Sequence, residues 1–520
     1  MKKITLISLF FLAFTMAAFA QFNGEADSTF ADNGVLLYDH NGNGNNEFLW
    51  KMVAGPNGKL YAGGFIQGQN RDILLMRFHA DGTPDASFGN NGAVQFDPSL
   101  GGNDELADLF VTSTGKIVIV GTTNAGNTDQ IIARFNSDGT LDTSFKQTGY
   151  WITGVAGVDT WMTVWVDSSD RIVVAGSMSD GSGQNLAVGR LMPNGNLDPS
   201  FGFNGLNVFD YGSNERFLDI HWHDFSKRYY LLALIDGKYS VMALNEDGDT
   251  ENSFDGDGRK SLDLYGSDTE SFMQVTTGPN GDLFLVGSVA SSGDASDVLI
   301  VKMYNTGDLY LPFANNGIYR ANLGQSASEY ATEVLFLEDG TLLVSGVTQN
   351  AGDQDLMTFM LASDGFFFSN YGQNGVMRYP VENNVDEAGG WLCVDSAGKV
   401  YIYGTSVQPG NDDMVIIKLK TDEVSTAVKD QVPALTDLSV YPNPARDQLS
   451  LSFELPKATS VQINLHALDG RAIAALSLGH LPAGPQTVDG AALLRYAGPG
   501  MYLLSIQTEG QVYTQKLMVR

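Results

Sequence analysis

The chain has 520 residues, more than one hydrophobic core usually supports, so we expect at least two domains. Its apolar fraction of 43 % and its 59 glycines suit many short strands joined by tight turns, and they exclude a disordered chain. The formal net charge is −30, which excludes nucleic acid as a partner and disfavours anionic membranes, because both need Lys and Arg against phosphate.

The amino terminus has the three parts of a signal peptide. Lys2 and Lys3 precede an apolar run at residues 4–16, and Ala18-Phe19-Ala20 forms an A-x-A cleavage site. The run is too short to span a membrane, and no other stretch reaches the length needed, so we expect no transmembrane span. The sequence therefore predicts a signal peptide at 1–20 and an exported protein.

One pattern, [D/N]-G-x-x-D-x-S-F-G-x-x-G, recurs seven times between residues 23 and 421, and its last two copies are decayed. The copies are marked by an aromatic residue, in order Phe30, Phe88, Phe145, Phe201, Phe254, Phe313 and Tyr371. A second landmark has the same period: a strand that begins and ends with glycine, such as GKIVIVG, which degrades to KRYYLLA in the fourth unit. The marker aromatics are 53 to 59 residues apart, about 57 on average. A period of this size is typical of propellers and solenoids.

Each unit has the pattern of four strands. In the second unit they are predicted at 93–96, 106–112, 116–122 and 130–135, separated by Asn-Gly, Asp-Gly or Thr-Gly turns. Four-stranded units in tandem predict an all-β fold, a seven-bladed β-propeller over residues 21–421. An open solenoid is the alternative, but it needs polar caps at its ends, so a closed ring is favoured.

The repeat core resembles the delta-60 repeat, found in secreted and surface proteins of bacteria and considered β-propeller-like. The resemblance covers about residues 23–421. It implies no reaction and no catalytic residues.

After a polar linker at 422–436, residues 437–520 alternate short strands with Pro and Gly turns, which predicts a small β-sandwich. The tail carries Tyr441-Pro442-Asn443-Pro444, Asp469-Gly470-Arg471 and a closing Lys-Leu-Met-Val-Arg at 516–520. In this order the motifs resemble the type A sorting domain of the type IX secretion system of Bacteroidota. The resemblance implies contact with that secretion machinery and passage through the outer membrane, then release or surface attachment. An adhesion domain without a sorting role is the alternative.

His221 and His223 form the most unusual pair. They are two residues apart on a predicted strand, so both imidazoles face one way and could bind a ligand or a metal such as zinc. In the repeat register His221 aligns with Leu109, Val164, Val275 and Val334. Because no third ligand is evident, histidines with hydrogen-bond partners in a diverged repeat are favoured over a metal site.

A second candidate site is a set of aspartates that recur at the start of one strand in the repeat. Together they could form an acidic ring on one rim that holds calcium or polar sugars, since hard cations prefer several oxygen ligands. Each also lies beside a turn, where aspartate bonds its own backbone, and a folding role is favoured. No other cofactor is predicted. The residues are Asp72, Asp129, Asp297, Asp355 and Asp413.

No G-x-S-x-G, Walker or H-E-x-x-H motif is present, so a non-enzymatic role is favoured. The hypothesis is a binding or adhesion module for glycan or protein at the cell surface. The alternatives are an extracellular glycoside hydrolase or lyase with its site in the propeller channel, and a structural surface-layer protein. Exposed aromatics among Trp50, Trp151 and Trp161 would favour binding, whereas converging carboxylates with shifted pKa values would favour an enzyme.

Overall fold

The computed structural model describes residues 24–420 and 436–520, apart from 41–44, 125–127, 155–157, 182, 213, 225, 267, 292–294, 324–327, 338–339, 351–352, 382–384, 409–410, 447, 456–458, 468–471, 496, 499 and 509–510. The expected signal peptide, Asp469-Gly470-Arg471 and nearly all of the expected linker lie outside the described residues. The chain forms two compact units, 1–424 and 425–520. No helix in the described part is long and apolar enough to cross a membrane.

The first unit consists of seven four-stranded antiparallel sheets, the blades of a β-propeller. With the strands given from the innermost outward, blade 1 contains β2 (Asn46–Ala54), β3 (Leu60–Gln67), β4 (Arg71–Phe78) and β5 (Ala93–Phe96); blade 2 contains β6 (Asn103–Val111), β7 (Ile117–Asn124), β8 (Thr128–Phe135) and β9 (Tyr150–Thr153); and blade 3 contains β10 (Thr160–Val166), β11 (Ile172–Ser179), β12 (Gln184–Leu191) and β13 (Leu206–Phe209). Blade 4 contains β14 (Arg216–His223), β15 (Arg228–Ile235), β16 (Lys238–Asn245) and β17 (Arg259–Ser261), and blade 5 contains β18 (Thr269–Thr277), β19 (Leu283–Ala290), β20 (Asp297–Met303) and β21 (Ile318–Ala321). Blade 6 contains β22 (Glu329–Phe336), β23 (Leu342–Asn350), β24 (Asp353–Leu361) and β25 (Val376–Tyr379), and blade 7 contains β26 (Asp386–Val394), β27 (Val400–Val407), β28 (Asp413–Lys418) and β1 (Val35–Tyr38).

The blades are offset from the sequence repeats by one strand. The first strand of the second sequence unit, Ala93–Phe96, is the outermost strand of blade 1 and pairs with β4. By the same offset, β1 completes blade 7 by pairing with β28, with Val35 opposite Ile417. This pairing closes the ring, so the expected seven-bladed propeller is confirmed.

The repeat motif joins one blade to the next. In blade 3, Asp198 accepts hydrogen bonds from the Ser200 backbone N–H and hydroxyl and, at 2.8 Å, from Nε of Arg190. Arg190 also donates through Nη1 to the carbonyl of Glu246 in blade 4, and its guanidinium lies 4.7 Å above the Phe201 ring. The Asp-x-Ser-Phe pattern and the basic residue before it therefore form one buried cross-link. The same arrangement recurs at Arg77 with Asp85 and at Arg134 with Asp142.

The second unit is a small sandwich of two sheets. One contains β29 (Thr436–Tyr441), β30 (Ser450–Leu455) and β33 (Gly484–Asp489); the other contains β31 (Thr459–Ala467), β32 (Ala472–Leu481), β34 (Gly500–Thr508) and β35 (Gln511–Val519), and a short 3-10 helix covers Ala491–Leu494. The Asn443 side chain donates to the carbonyl of Lys516 and accepts from the N–H of Met518, each at 2.9 Å. The first and last motifs of the tail are therefore directly bonded.

Candidate functional site

A β-bulge falls at the same place in the innermost strand of every blade. In β2 the register shifts between Leu49 and Lys51, opposite Gly64, the closing glycine of the second sequence landmark. A Cβ on Gly64 would lie 1.7 Å from the carbonyl oxygen of Phe48, so the close approach of the two strands requires glycine there. The innermost strands of neighbouring blades contact one another around the ring and line the central channel.

The residue after each bulge defines what we name the channel ring. It consists of Lys51, Asp108, Thr163, Asp219, Gln274, Glu333 and Trp391, one from each blade. Its three carboxylates each accept a hydrogen bond from a backbone N–H of the following blade: Val164 to Asp108 and Val275 to Asp219 at 2.9 Å, and Leu392 to Glu333 at 2.7 Å. The channel ring therefore holds neighbouring blades in register.

The charged side chains of the channel ring shift one another's pKa values. Lys51 Nζ lies 3.4 Å from Asp108 Oδ1, and this carboxylate raises the pKa of Lys51. Burial raises the pKa of Asp219 to about 7 and also raises that of Glu333, although both side chains keep some contact with the solvent of the channel. At neutral pH the channel thus holds one cation, Lys51, and one carboxyl group, Asp219, that is partly protonated.

Three of the bulge residues present apolar side chains to solvent. Trp50 is 41 % exposed, Met162 41 % and Met273 47 %. Because they lie midway along innermost strands, the solvent they meet is that of the channel. The Trp50 ring lies 6.5 Å from Phe48 and 6.2 Å from Trp391, centroid to centroid.

Of the three tryptophans considered from the sequence, Trp50 alone is exposed. Trp151 is half-buried, with the ammonium of Lys146 4.1 Å from its ring centroid, and Trp161 is 4 % exposed. Any aromatic contact surface among these three is therefore that of Trp50.

His221 and His223 lie on β14 and each has a hydroxyl partner. Nε2 of His221 is 2.8 Å from the Thr277 hydroxyl, and Nδ1 of His223 is 2.7 Å from the Ser226 hydroxyl. Burial lowers the pKa of His221 to about 4 and lowers that of His223 as well. Among the described residues, no group of three metal-ligating side chains contains either histidine.

The repeat alignment of His221 was wrong by one position. His221 lies opposite Tyr230 and corresponds to Phe110, while Ile220 takes the place of Leu109. The reason is that Asp219 and its partner Leu232 are separated along the chain by one residue more than Asp108 and its partner Val120. His221 therefore does not replace the apolar residue that follows the channel ring.

The five candidate aspartates lie at the same end of their blades, near the start of the third strand, but they do not meet at one site. Asp297 is paired with Arg320, whose Nε lies 2.8 Å from Oδ2. Asp129 lies against Gly154, and Asp355 is buried opposite Thr348. Asp72 and Asp413 each belong to a separate group of three carboxylates.

These two groups occupy equivalent positions between blades. The closure cluster is Asp39, Glu47 and Asp413, and the blade 1–2 cluster is Asp72, Asp97 and Asp104. In each, one oxygen from every residue lies within 4.8 Å of the others. Carboxylate oxygens are the ligands that Ca²⁺ prefers.

Glu47 and Asp104 were missed from the sequence. Leu49 in β2 and Leu106 in β6 are the last residues that pair before the bulge, and Glu47 and Asp104 lie two residues before them. Every blade has an acidic residue at this position. That sevenfold recurrence was the signal that could have found them. The set is Glu47, Asp104, Asp159, Glu215, Glu270, Glu329 and Glu387, all buried except the half-buried Glu270.

Comparison with known families agrees with the repeat and the tail. The family described as a domain of unknown function (DUF5122) β-propeller matches residues 55–88, 112–145 and 168–201. The family described as a secretion system C-terminal sorting domain matches residues 439–520. No curated protein matches the chain in sequence.

Solved structures are similar only at the level of the fold. PorZ, described as an essential surface component of the type IX secretion system of Porphyromonas gingivalis, is 13 % identical with a TM-score of 0.40, and the alignment covers 93 % of this chain but 60 % of PorZ. A fungal alcohol oxidase in complex with copper is 12 % identical with a TM-score of 0.42, covering 96 % of this chain and 99 % of the oxidase. The polysaccharide lyase Uly1 is 10 % identical with a TM-score of 0.44, covering 78 % of this chain and 98 % of the lyase.

The matched repeats and the closed ring of seven blades both indicate a β-propeller, and the matched tail indicates a sorting domain. The sorting domain implies interaction with the type IX secretion machinery. The chain is a seven-bladed propeller protein with three segments that match the DUF5122 β-propeller model, and it carries a type IX C-terminal sorting domain that directs it to secretion or to the cell surface.

Proposed function

We propose that the propeller is a binding module for an extracellular glycan or protein, and that the channel surface around Trp50 makes the contact. The observation that carries the proposal is the exposure of Trp50, 41 %, on an innermost strand beside Phe48 and Trp391. An exposed indole offers a large apolar face with little conformational entropy to lose, and such faces are favoured in recognition. Met162 and Met273 extend this apolar surface to blades 3 and 5.

The hydrogen bonding of the channel carboxylates favours binding over catalysis. Both oxygens of Asp108 accept hydrogen bonds, from the N–H groups of Leu109 and Val164, and both oxygens of Glu333 accept, from the Gln274 amide and the Leu392 N–H. Asp219 accepts through Oδ2 from the Val275 N–H. A general base needs a free lone pair directed at substrate. We therefore assign these groups to holding the channel wall.

A hydrolase or lyase is the second candidate, and one observation favours it. Burial raises the pKa of Asp219 to about 7, a value suited to exchanging a proton near neutral pH. A third candidate, a structural surface-layer role, requires no ligand.

The test is a glycan array probed with the full chain, run beside a panel of chromogenic glycosides. We expect retention without turnover, lost in Trp50→Ala and kept in Phe203→Ala. Phe203 is a matched control because it is 81 % exposed and lies in the loop before β13, away from the innermost strands.

Each other result has a defined meaning. Retention that Trp50→Ala leaves unchanged would contradict the channel as the contact surface. Turnover that Asp219→Asn abolishes would establish the enzyme. Absence of both retention and turnover would contradict glycan binding and leave a protein ligand or the structural role.

A further inference from the structure

We propose that the closure cluster, Asp39, Glu47 and Asp413, binds a calcium ion that fastens the ring of blades, and that the blade 1–2 cluster binds a second. Asp39 directly follows β1, Asp413 begins β28, and Glu47 lies on β2. One ion at the closure cluster would therefore contact the amino-terminal strand, the last blade and the first blade together. This inference is independent of the ligand proposed for the channel.

Glu47 is the first reason to expect a cation. Its side chain is completely buried, and neither carboxylate oxygen has a hydrogen-bond partner among the described residues. The backbone N–H of His40 lies nearby but does not reach hydrogen-bond geometry. A buried carboxylate left in this state costs free energy, and a bound cation would remove the cost.

Asp104 repeats the situation at the second cluster. It is also completely buried, and its Oδ1 has no hydrogen-bond partner in the described structure, while Oδ2 accepts from the Ser99 hydroxyl at 2.9 Å. Two equivalent positions in the repeat thus place a completely buried carboxylate against two further carboxylates.

The donor set selects the class of metal. Each cluster offers only oxygen ligands, with no imidazole or thiolate among the grouped residues. Ca²⁺ takes six to eight oxygens at about 2.3–2.6 Å and tolerates irregular geometry, so three carboxylates completed by water suit it. Zinc and other borderline metals prefer nitrogen or sulfur ligands.

In one blade of the same chain, the equivalent carboxylate is neutralised by an arginine side chain. In blade 5, Asp297 is equivalent to Asp72, and it is neutralised by Arg320, which lies opposite Leu299. In blade 1 the position opposite Leu74 is Gln95, whose neutral amide donates to Asp72 Oδ2 at 2.6 Å.

In blade 7 the equivalent residue is Leu37, which lies opposite Val415. The Leu37 side chain is apolar and cannot neutralise the charge of Asp413. Blade 5 therefore has a built-in cation where the two clusters have only an amide or an apolar side chain. Placing arginine at residue 37 or 95 should replace the metal.

The experiment compares the full chain after treatment with a chelator and after addition of about 5 mM Ca²⁺, above the ~0.1–1 mM dissociation constants of extracellular calcium modules. We expect Ca²⁺ to raise the melting temperature and calorimetry to detect binding. Glu47→Gln and Asp104→Asn should each lower the number of bound ions by about one. In chelator, Glu47→Gln should melt at or above the temperature of the unaltered chain, because it removes a buried carboxyl group that has no hydrogen-bond partner among the described residues.

Two further variants keep the test independent of folding defects. Leu37→Arg and Gln95→Arg should remove binding at the closure and blade 1–2 clusters respectively, with the ring still folded. Asp224→Asn is the matched control, since its side chain is 83 % exposed and its partner is the surface residue Lys227. It should bind Ca²⁺ as the unaltered chain does.

The proposal would be overturned by an unaltered chain that shows neither a thermal shift nor binding heat with Ca²⁺. It would also be overturned by equal Ca²⁺ binding in the unaltered chain, Glu47→Gln and Leu37→Arg.

Discussion

Arg190 and Asp198 form a buried ion pair, with Nε 2.8 Å from Oδ2, at the junction of blades 3 and 4. Removing one partner would leave an uncompensated buried charge, which typically costs 3–5 kcal/mol. We therefore expect Asp198→Asn to lower the free energy of unfolding by about 3 kcal/mol, measured by urea denaturation of the full chain.

Blade 4 supplies the control for this prediction. There Glu251 lies 3.5 Å from Arg228, and both side chains are partly exposed. Glu251→Gln should therefore cost less than about 1 kcal/mol. Equal costs for the two variants would show that the motif does not stabilise the ring through this ion pair.

The buried Glu47 predicts a dependence of stability on pH. Burial raises the pKa of Glu47 from 4.5 to about 8, and the charges of Asp39 and Asp413 add to this shift. In this range the folded chain holds a proton that the unfolded chain releases, so the free energy of unfolding should fall as pH rises from about 4.5 to about 8.

This dependence is measured by urea unfolding in chelator at about pH 5 and about pH 8. Glu47→Gln cannot ionise and should show a smaller decrease between the two values. The same decrease in both proteins would mean that Glu47 is not the group responsible.

Asn443 should determine the stability of the tail. Its side chain makes two hydrogen bonds to the backbone of the last strand, at Lys516 and Met518, and removing it leaves both groups without this partner. We expect Asn443→Ala to cost about 1–3 kcal/mol and to speed hydrogen exchange in β35. The neighbouring motif residue Tyr441 is 74 % exposed, so Tyr441→Ala should leave that exchange unchanged.

The sequence predicted the blades and the tail because both depend on local patterns. Turn glycines, an aromatic residue and strand spacing repeat in each unit, and the structure buries the aromatic, as at Phe88 and Phe145. The one-strand offset was not predicted, since the sequence gives no sign of which neighbour the strand Ala93–Phe96 pairs with.

The candidate sites were less predictable because they depend on register and on neighbouring blades. A bulge changes which way Lys51 and Asp108 face, and a single extra hairpin residue moves His221 by one position. Glu47 and Asp413 are more than 360 residues apart in the chain, so their proximity follows only from ring closure. Asp72 and Asp413 were identified, but their partners on the neighbouring blade were not.

The pairing of β1 with β28 determines when the propeller can finish folding. Val35 and Ile417 are 382 residues apart, so blade 7 stays incomplete until nearly the whole body has been synthesised. Contacts this distant form slowly. Once formed, they hold both ends of the body, where the Lys420 N–H donates to the Glu25 carbonyl at 2.6 Å. Within the described residues, neither end of the body can therefore unfold locally without breaking the pairing that holds the other end.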